Sequence, residues 1–564
     1  MRYSQIVALK ILATSCGARL RYGLAGLAGL LVSLGFAPAN ISGAAWIGPG
    51  LMLFCALGAS PRRAFALGLT SGFVCSLCSL SWLLAMPFAW HGIPLAPALG
   101  WAALSAYCGV YTGVWVWFCW RIFPGSICEA GLSPAEAVER ILSTPLWKRI
   151  GWALLCAAAW TALELMRGRF LGGFPWNFLG TSQYRMLPLI QMAAFTGVFG
   201  LSFLMVWFSV ALGGAMISLA RRPGTERIWG EMALPLLAVA AAMGFGMSRF
   251  AEKSGPARTL RVALVQPSIP QTLIFDPNGD AQRFQEVMDL SEKAMASKPD
   301  LLIWPESGVP DLTTDEQEAV GRMLEKHSAW LLFCEDSAES LADASTVYFN
   351  SAFLVSPKGM IEAIYHKRRL VIFGEYIPLV RWLPFLKWLT PVGTGFTPGQ
   401  RVVSFDMTEP SAHLSPLICF EDSFADEARE HTAANTDFLV NLTNDGWFGK
   451  GAAQWQQAAS AVFRAVENGL PMVRCANNGV TCWVDARGRL RQVEETGGNI
   501  YGPGFMTAEV PLQNGKEGRP TFYNQHGDVF AGVCGAASVC AGSVLFRKRG
   551  LSRGRGTVSP KQDI

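Results

Sequence analysis

Apolar residues run almost unbroken through the first 250 positions, then give way to short apolar runs separated by charged and turn-forming stretches. A bilayer core of about 30 Å takes roughly 20 apolar residues per helix. By that measure the pattern predicts spans at about 22–38, 44–60, 64–86, 95–120, 151–166, 188–219 and 232–250, with one more at 529–546. The 44–60 run is short and glycine-rich. The first run reads as a membrane span and not as a cleavable leader, because six more follow it. Between 251 and 528 the strand-like runs are Leu260–Gln266, Asp300–Glu306, Trp330–Glu335, Phe349–Ser356, Leu414–Glu421, Asp437–Asn444, Met472–Ala476 and Val480–Asp485. They are short, apolar and flanked by Pro, Gly, Asn or Asp, as buried strands are. Helical patterns fall between them at 279–298, 314–328, 423–434 and 453–468, and Asn478-Gly479 between two apolar runs predicts a hairpin.

The expected organisation is a membrane domain at 1–250, a soluble α/β domain at 251–528, a C-terminal span at 529–546 and a basic tail at 547–564. Composition agrees. The 564-residue chain is 51% hydrophobic and only 16% charged, against about a quarter charged in soluble domains. Lys and Arg collect in alternate connections: Arg2, Lys10, Arg19 and Arg21; Arg62 and Arg63; Arg121, Arg140, Lys148 and Arg149; Arg221, Arg222 and Arg227; and Arg547 to Arg549. The connections at 39–43 and 87–94 have none, and only 167–187, with Arg167, Arg169 and Arg185, departs from the pattern. The positive-inside rule then puts both termini in the cytoplasm and 251–528 outside it, in the periplasm of a bacterium with two membranes. The net charge of +5 is small for this length, and no basic tract is interleaved with aromatics, so a nucleic-acid partner is not expected.

Fourteen cysteines suggest a disulfide framework only in a small secreted domain. Most lie in apolar runs, where they act as small hydrophobes. Cys75 and Cys78 form a CxxC within a predicted span, and no metal site is expected there. Cys334, Cys419, Cys475 and Cys482 fall in the polar domain. The last two flank the Asn478-Gly479 turn, either as buried thiols or as a disulfide across it.

Three strand ends carry chemistry. Leu301-Leu-Ile-Trp-Pro-Glu306 ends in a carboxylate, Tyr365-His-Lys-Arg-Arg leads through Lys367 to Glu375, and Pro416-Leu-Ile-Cys-Phe-Glu presents Cys419 and then Glu421. Taken singly, each is an ordinary strand terminus, basic patch or core cysteine. In this order, with their local sequences, they resemble the nitrilase superfamily, and within it the membrane branch, the bacterial apolipoprotein N-acyltransferases. The resemblance extends through Glu164-Leu-Met-Arg-Gly, Gly173-Phe-Pro-Trp-Asn, Val265-Gln-Pro-Ser-Ile-Pro-Gln, Phe373-Gly-Glu-Tyr-Ile-Pro, Asn441-Leu-Thr-Asn-Asp-Gly-Trp-Phe-Gly and Arg474-Cys-Ala-Asn-Asn-Gly-Val-Thr.

The resemblance implies about eight membrane helices, seven before and one after an inserted α-β-β-α sandwich. It also implies a catalytic triad of Glu306, Lys367 and Cys419. A thiol of ordinary pKa is mostly protonated at neutral pH and needs a base or cation beside it. Glu306 is the expected base. Lys367, helped by a backbone N–H near Cys419 or Phe420, is the expected stabiliser of thiolate and oxyanion. Glu375 and Glu421 are expected to orient Lys367 and the incoming amine. The implied reaction is ping-pong acyl transfer. A phospholipid, phosphatidylethanolamine in the first instance, acylates Cys419, and the N-terminal amine of a diacylglyceryl-cysteine apolipoprotein takes the acyl chain. No cofactor is needed, because the donor ester carries its own activation.

Candidate substrate contacts are Phe275, Trp382, Trp388, Asn444, Trp447 and Arg185. The Trp-rich 376–396 stretch is either a lid dipping into the membrane interface or a segment packed on its own domain. Arg167, Arg169 and Arg185 meet lipid phosphates or anchor helix ends. Phe420 stands where the family often has Tyr, Ile372 where it often has Pro and Phe275 where it frequently has Trp. These departures touch chain or donor preference and leave the triad intact. A membrane-anchored amidase or nitrilase with the same triad is the alternative. An interaction protein would have a degraded triad, and a transporter leaves the second domain unexplained.

Overall fold

A computed structural model describes residues 15–86, 95–125, 132–221, 225–251, 258–274, 276–340, 345–380, 382–389, 395–433, 435–492, 500–512 and 520–554. Its apolar half is helical: Ser15–Ser33, Pro61–Ser79, Ala96–Arg121, Leu146–Arg167, Val198–Arg221 and Thr225–Ala251, joined at the C-terminal end of the chain by Val529–Gly554. Among the described residues, four helical stretches, Pro97–Arg121, Leu146–Arg167, Val198–Ala220 and Trp229–Ala251, are long and apolar enough to cross a membrane. Two expected spans are broken. Residues 44–60 fold as a 3-10 turn, Ser42–Trp46, and a seven-residue helix, Gly48–Phe54. The stretch expected at 188–219 becomes two single-turn helices, Leu187–Ile190 and Ala193–Thr196, before the long helix begins at Val198. Gly197 makes the break, with φ of 64° and so little room that an added Cβ would lie 2.6 Å from the Tyr523 ring.

The Pro61–Ser79 and Ala96–Arg121 helices touch backbone to backbone. A Cβ on Gly72 would lie 1.7 Å from Thr112 Oγ1, and one on Gly68 2.6 Å from the Thr112 carbonyl. Gly109 and Gly113 also face the 65–73 stretch, where an added Cβ would lie 3.0 Å from the Phe73 backbone N and 2.9 Å from the Phe65 ring. Small residues four apart admit this approach, which is how helices gain packing energy where lipid removes the hydrophobic drive to associate.

The polar half is two six-stranded mixed sheets laid face to face. In the first, β1 (Thr259–Gln266), β2 (Leu301–Ile303) and β3 (Trp330–Ser340) run parallel. β4 (Thr346–Val355), β5 (Ile361–His366) and β12 (Gly504–Pro511) complete it in antiparallel pairings, in the order β12-β1-β2-β3-β4-β5. The second repeats the plan. β7 (Ala412–Ile418), β8 (Phe438–Thr443) and β9 (Met472–Ala476) are parallel, and β6 (Phe405–Met407), β10 (Cys482–Val484) and β11 (Leu490–Gln492) are antiparallel additions.

Side chains alternate between two apolar environments, which is why these strands read as unbroken hydrophobic runs. Leu260, Val262, Leu264, Leu301, Ile303, Leu332, Leu414, Ile418, Val440 and Val473 meet between the sheets. Ala263, Val265, Leu302, Leu331 and Phe333 face the helices Asp280–Met295 and Thr314–His327. Leu417, Leu439 and Met472 face the helix Ala453–Asn468. The layers are therefore α-β-β-α. Cys475 and Cys482 are free thiols, and the register shows why. Cys482 is paired with Arg474 across the hairpin, so Cys475 points to the opposite face. Cys475 lies between the sheets and Cys482 against the helices.

Candidate active site

Ligands of open α/β sheets collect at the carboxyl ends of the strands, and three such ends meet here. Glu306 follows β2, Lys367 follows β5, and Cys419 follows β7 and opens a 3-10 turn, Cys419–Ser423. Lys367 Nζ lies 3.2 Å from Glu306 Oε1 and 2.7 Å from Glu375 Oε1. Asn350 Nδ2 donates to the same two oxygens at 2.8 and 3.1 Å, and the Asn444 backbone N–H donates to Glu306 Oε2 at 2.9 Å. Among the described residues, the hydrogen-bond partners of Glu306 are all donors. Glu375 is fixed in turn by the Val371 N–H at 2.8 Å. Cys419 has φ of 53°, the left-handed region that a residue with a Cβ occupies at a cost. Its carbonyl receives two amides, Asn441 Nδ2 and Gln457 Nε2, each at 2.9 Å, and these hold the turn.

Among the described residues, no hydrogen bond joins Glu421 to the Lys367 ammonium, which Glu306 and Glu375 hold. The hydrogen bonds of Glu421 come from the Tyr365 hydroxyl at 2.9 and 3.0 Å and from the backbone N–H groups of Ile418, Arg368 and Arg369 at 2.7, 2.7 and 3.0 Å. This buried carboxylate joins the residue before Cys419 to the two after Lys367, so it sets the spacing of the two segments and leaves the ammonium to Glu306 and Glu375. Below the turn, Arg474 is fully buried. It donates to Asp445 Oδ1 and Oδ2 at 2.8 and 3.0 Å and lies 3.7 Å from Asp422 Oδ2. Burial pushes the Asp422 carboxyl up to about 7 against the pull of Arg474.

Burial, and after it the Glu306 carboxylate, push the Cys419 thiol well above its ordinary range, with Lys367 pulling the other way. Burial alone would lower Lys367, but Glu306 and Glu375 outweigh it and hold the ammonium above its usual value. The resting pair is a neutral thiol beside an ammonium shared by two carboxylates. A raised thiol pKa leaves the thiolate fraction growing about tenfold per pH unit throughout the ordinary thiol range. Alkylation of Cys419 by iodoacetamide is therefore expected to climb across that range without levelling. A plateau already reached at neutral pH would mean a resting thiolate and contradict this state.

Around the turn the wall is aromatic. Phe420 stacks on Trp176 at 6.0 Å between ring centres and meets Phe424 edge-on at 5.0 Å. Trp82, Trp101, Phe174 and Phe448 belong to the same cluster, which brings residues of the helical half against those of the sandwich. Trp447 is half-buried in the turn Asp445–Phe448, and the Asn444 side chain bonds Gln271 at 2.9 Å. Trp382 is 82% exposed beside exposed Leu379 and Phe385. Arg185 lies over the Tyr184 ring and donates to its hydroxyl, contacts that do not reach Lys367 or Cys419. Arg169 pairs with Asp426 and Asp528 and so anchors chain segments to one another. Phe275 and the side chain of Trp388 lie outside the described residues.

The sequence reading gave no role to Asn350, Asn441, Asp422, Gln457 or Arg474. Asn441 and Arg474 did carry a signal, as polar side chains in the middle of strands that are otherwise apolar but for Thr443 at the end of β8.

Residues 28–211 match the apolipoprotein N-acyltransferase N-terminal domain family, and residues 261–513 match the carbon-nitrogen hydrolase family. The chain is similar to the apolipoprotein N-acyltransferase of Geobacter metallireducens, at 32% identity over 94% of this chain and 96% of that protein. It is similar to those of Rhodopseudomonas palustris, at 31% over 82% and 86%, and Vibrio vulnificus, at 28% over 83% and 87%. Among solved structures, an amidase of the nitrilase superfamily from Nesterenkonia gives a TM-score of 0.34 at 16% identity, over 46% of this chain and 94% of that one. With both halves matched in order and near-complete coverage at 32% identity, the chain belongs to the apolipoprotein N-acyltransferase family.

Proposed function

We propose that the chain moves an acyl chain from a membrane phospholipid, through a thioester on Cys419, to the N-terminal amine of a diacylglyceryl-cysteine apolipoprotein. Glu306 accepts the thiol proton as sulfur attacks the ester carbonyl, and Lys367 stabilises the oxyanion that forms. Collapse breaks the ester C–O bond, and Glu306 returns the proton to the departing lysophospholipid alcohol. The incoming amine then attacks the thioester and gives its proton to Glu306. The amide forms, the C–S bond breaks, and the thiol is restored. The observation that carries this reading is the setting of the nucleophile turn: Phe420 packs on Trp176 among aromatic residues from the ends of apolar helices. An ester held in the bilayer is thus brought to the thiol, which a soluble amide substrate would not require.

In this reading the donor is phosphatidylethanolamine, and eight spans place the 251–528 domain in the periplasm with both termini in the cytoplasm. The exposed apolar side chains of Leu379, Trp382 and Phe385 suit a lid that meets the membrane interface.

The test uses full-length protein in vesicles of phosphatidylethanolamine labelled in one acyl chain. The expected result is hydroxylamine-sensitive label on the peptide that contains Cys419, which moves to the amine of an added diacylated lipopeptide. Label released only as free fatty acid would favour the amidase or hydrolase alternative, and absence of label would reject the acyl-transfer mechanism.

A further inference from the structure

One buried side chain joins the two halves of the molecule and takes no part in the chemistry above. Gln456 lies on the helix Ala453–Asn468 and is 5% exposed. Its Nε2 donates to the carbonyls of Ala37 and Ser79, each at 2.9 Å. Its Oε1 accepts from Trp82 Nε1 at 3.1 Å, Trp176 Nε1 at 2.7 Å and Asn177 Nδ2 at 3.1 Å. An amide offers two N–H donors and one oxygen, so every polar atom of this side chain is engaged. All five partners belong to the helical half: Ala37 follows the Ser15–Ser33 helix, Ser79 ends Pro61–Ser79, and Trp82, Trp176 and Asn177 lie in the connections at the same end.

The neighbouring residue reaches the other way. Gln457 Nε2 donates to the Cys419 carbonyl at 2.9 Å and to Asp422 Oδ1 at 3.1 Å, and Arg464 donates to the Ser423 carbonyl at 3.0 Å. Adjacent residues on an α-helix point about 100° apart. One helix therefore holds the membrane half on one face and the nucleophile turn on the next.

We propose that Gln456 is a positioning residue that fixes Cys419 at a set depth against the membrane helices, so that a bilayer-held ester arrives aligned with the thiol. The proposal rests on the acyl-transfer reading and names the contact that aligns its two halves. A misplacement of about 1 Å costs on the order of 10²-fold in rate. A small water-soluble reagent needs no such alignment.

The test compares two rates in full-length protein reconstituted in labelled phosphatidylethanolamine vesicles: thioester formation on Cys419 and its alkylation by iodoacetamide. Gln456→Leu removes all five hydrogen bonds and is expected to slow thioester formation about 10- to 100-fold, with alkylation within about twofold. Gln456→Glu keeps an acceptor for the two indoles and Asn177 but turns its second oxygen, an acceptor, toward the Ala37 and Ser79 carbonyls, so it is expected to slow thioester formation as well, with alkylation within about twofold. Trp82→Phe keeps an aromatic ring but deletes the single hydrogen bond to Gln456, and is expected to slow thioester formation alone, but by less on the Gln456→Leu background than on wild type. If Gln456→Leu does not accumulate folded, Trp82→Phe and Gln456→Glu are judged by the same two rates. Equal loss in both rates would make Gln456 a packing residue, and no loss in either would remove it from alignment. Wild-type protein that forms no thioester would take down the acyl-transfer reading as well, whereas normal wild-type activity with an unaffected Gln456→Leu overturns the positioning role alone.

Discussion

Glu306→Gln is expected to slow thioester formation from phospholipid by about 10²- to 10⁴-fold, the range for loss of a positioned general base. Glu306 has three neighbours, and each donates: Lys367 and Asn350 to Oε1, and the Asn444 N–H to Oε2. A glutamine carries one oxygen and one NH₂. If the oxygen faces Lys367 and Asn350, the NH₂ faces the Asn444 N–H, and two donors oppose each other. The substitution therefore removes the base and also leaves a buried donor unsatisfied, which costs about 1–3 kcal/mol. Single-turnover thioester formation separates the two effects, because the loss of stability appears in unfolding and the loss of the base in rate. A variant within a few-fold of wild type in that assay would remove Glu306 from the base role.

Arg474→Met is expected to be the most damaging single change to stability, at about 3–5 kcal/mol, because it leaves buried carboxylates without their cation. Asp445 and Asp422 share this guanidinium on the helix-facing side of the second sheet. The double variant Arg474→Met/Asp445→Asn is expected to recover part of the loss. The pH dependence has a definite sign. Burial already raises both carboxyl groups, and Arg474 is the main influence lowering them. Without it they rise further. An acid whose folded pKa lies above its unfolded value favours the folded state as pH falls through the folded value. The deficit in thermal unfolding in detergent is thus expected to be larger at about pH 8 than at about pH 5.5. An unchanged melting temperature, or a deficit that grows on acidification, would contradict the assignment.

What could be read from the sequence follows from how each part is stabilised. β1, β2, β3, β7, β8 and β9 are buried on both faces, so their own hydrophobicity marks them. β5 has a mostly exposed face, and β6 and β11 are three residues each, so their pairing comes from neighbours and escapes a search for apolar runs. β12 also went unmarked, although it closes the first sheet. In the helical half, length alone suggested single spans at 44–60 and 188–219, whereas the breaks depend on a tight fit at Gly197 and on a short turn-and-helix at 42–54. Glu306, Lys367 and Cys419 were visible because each ends a strand in a reactive side chain. Their supports were not. The Glu421 bond from Tyr365 and the Gln457 clamp are defined by partners 35 to 56 residues away, and no local pattern shows which atoms will meet.

The closing pair of the first sheet bears on how the chain is made. β1 begins at Thr259, and its outer partner β12 ends at Pro511, so about 250 residues must be synthesised after β1 before that edge is covered. Until then β1 presents a row of unpaired backbone groups to any extended chain that meets it. The wait ends only shortly before the last helix, which starts at Val529, leaves the ribosome. Translation that stalls short of β12 leaves a nascent chain with an open sheet edge tethered to a membrane. Such a chain is suited to pair with its neighbours on a polysome and is a natural substrate for quality control.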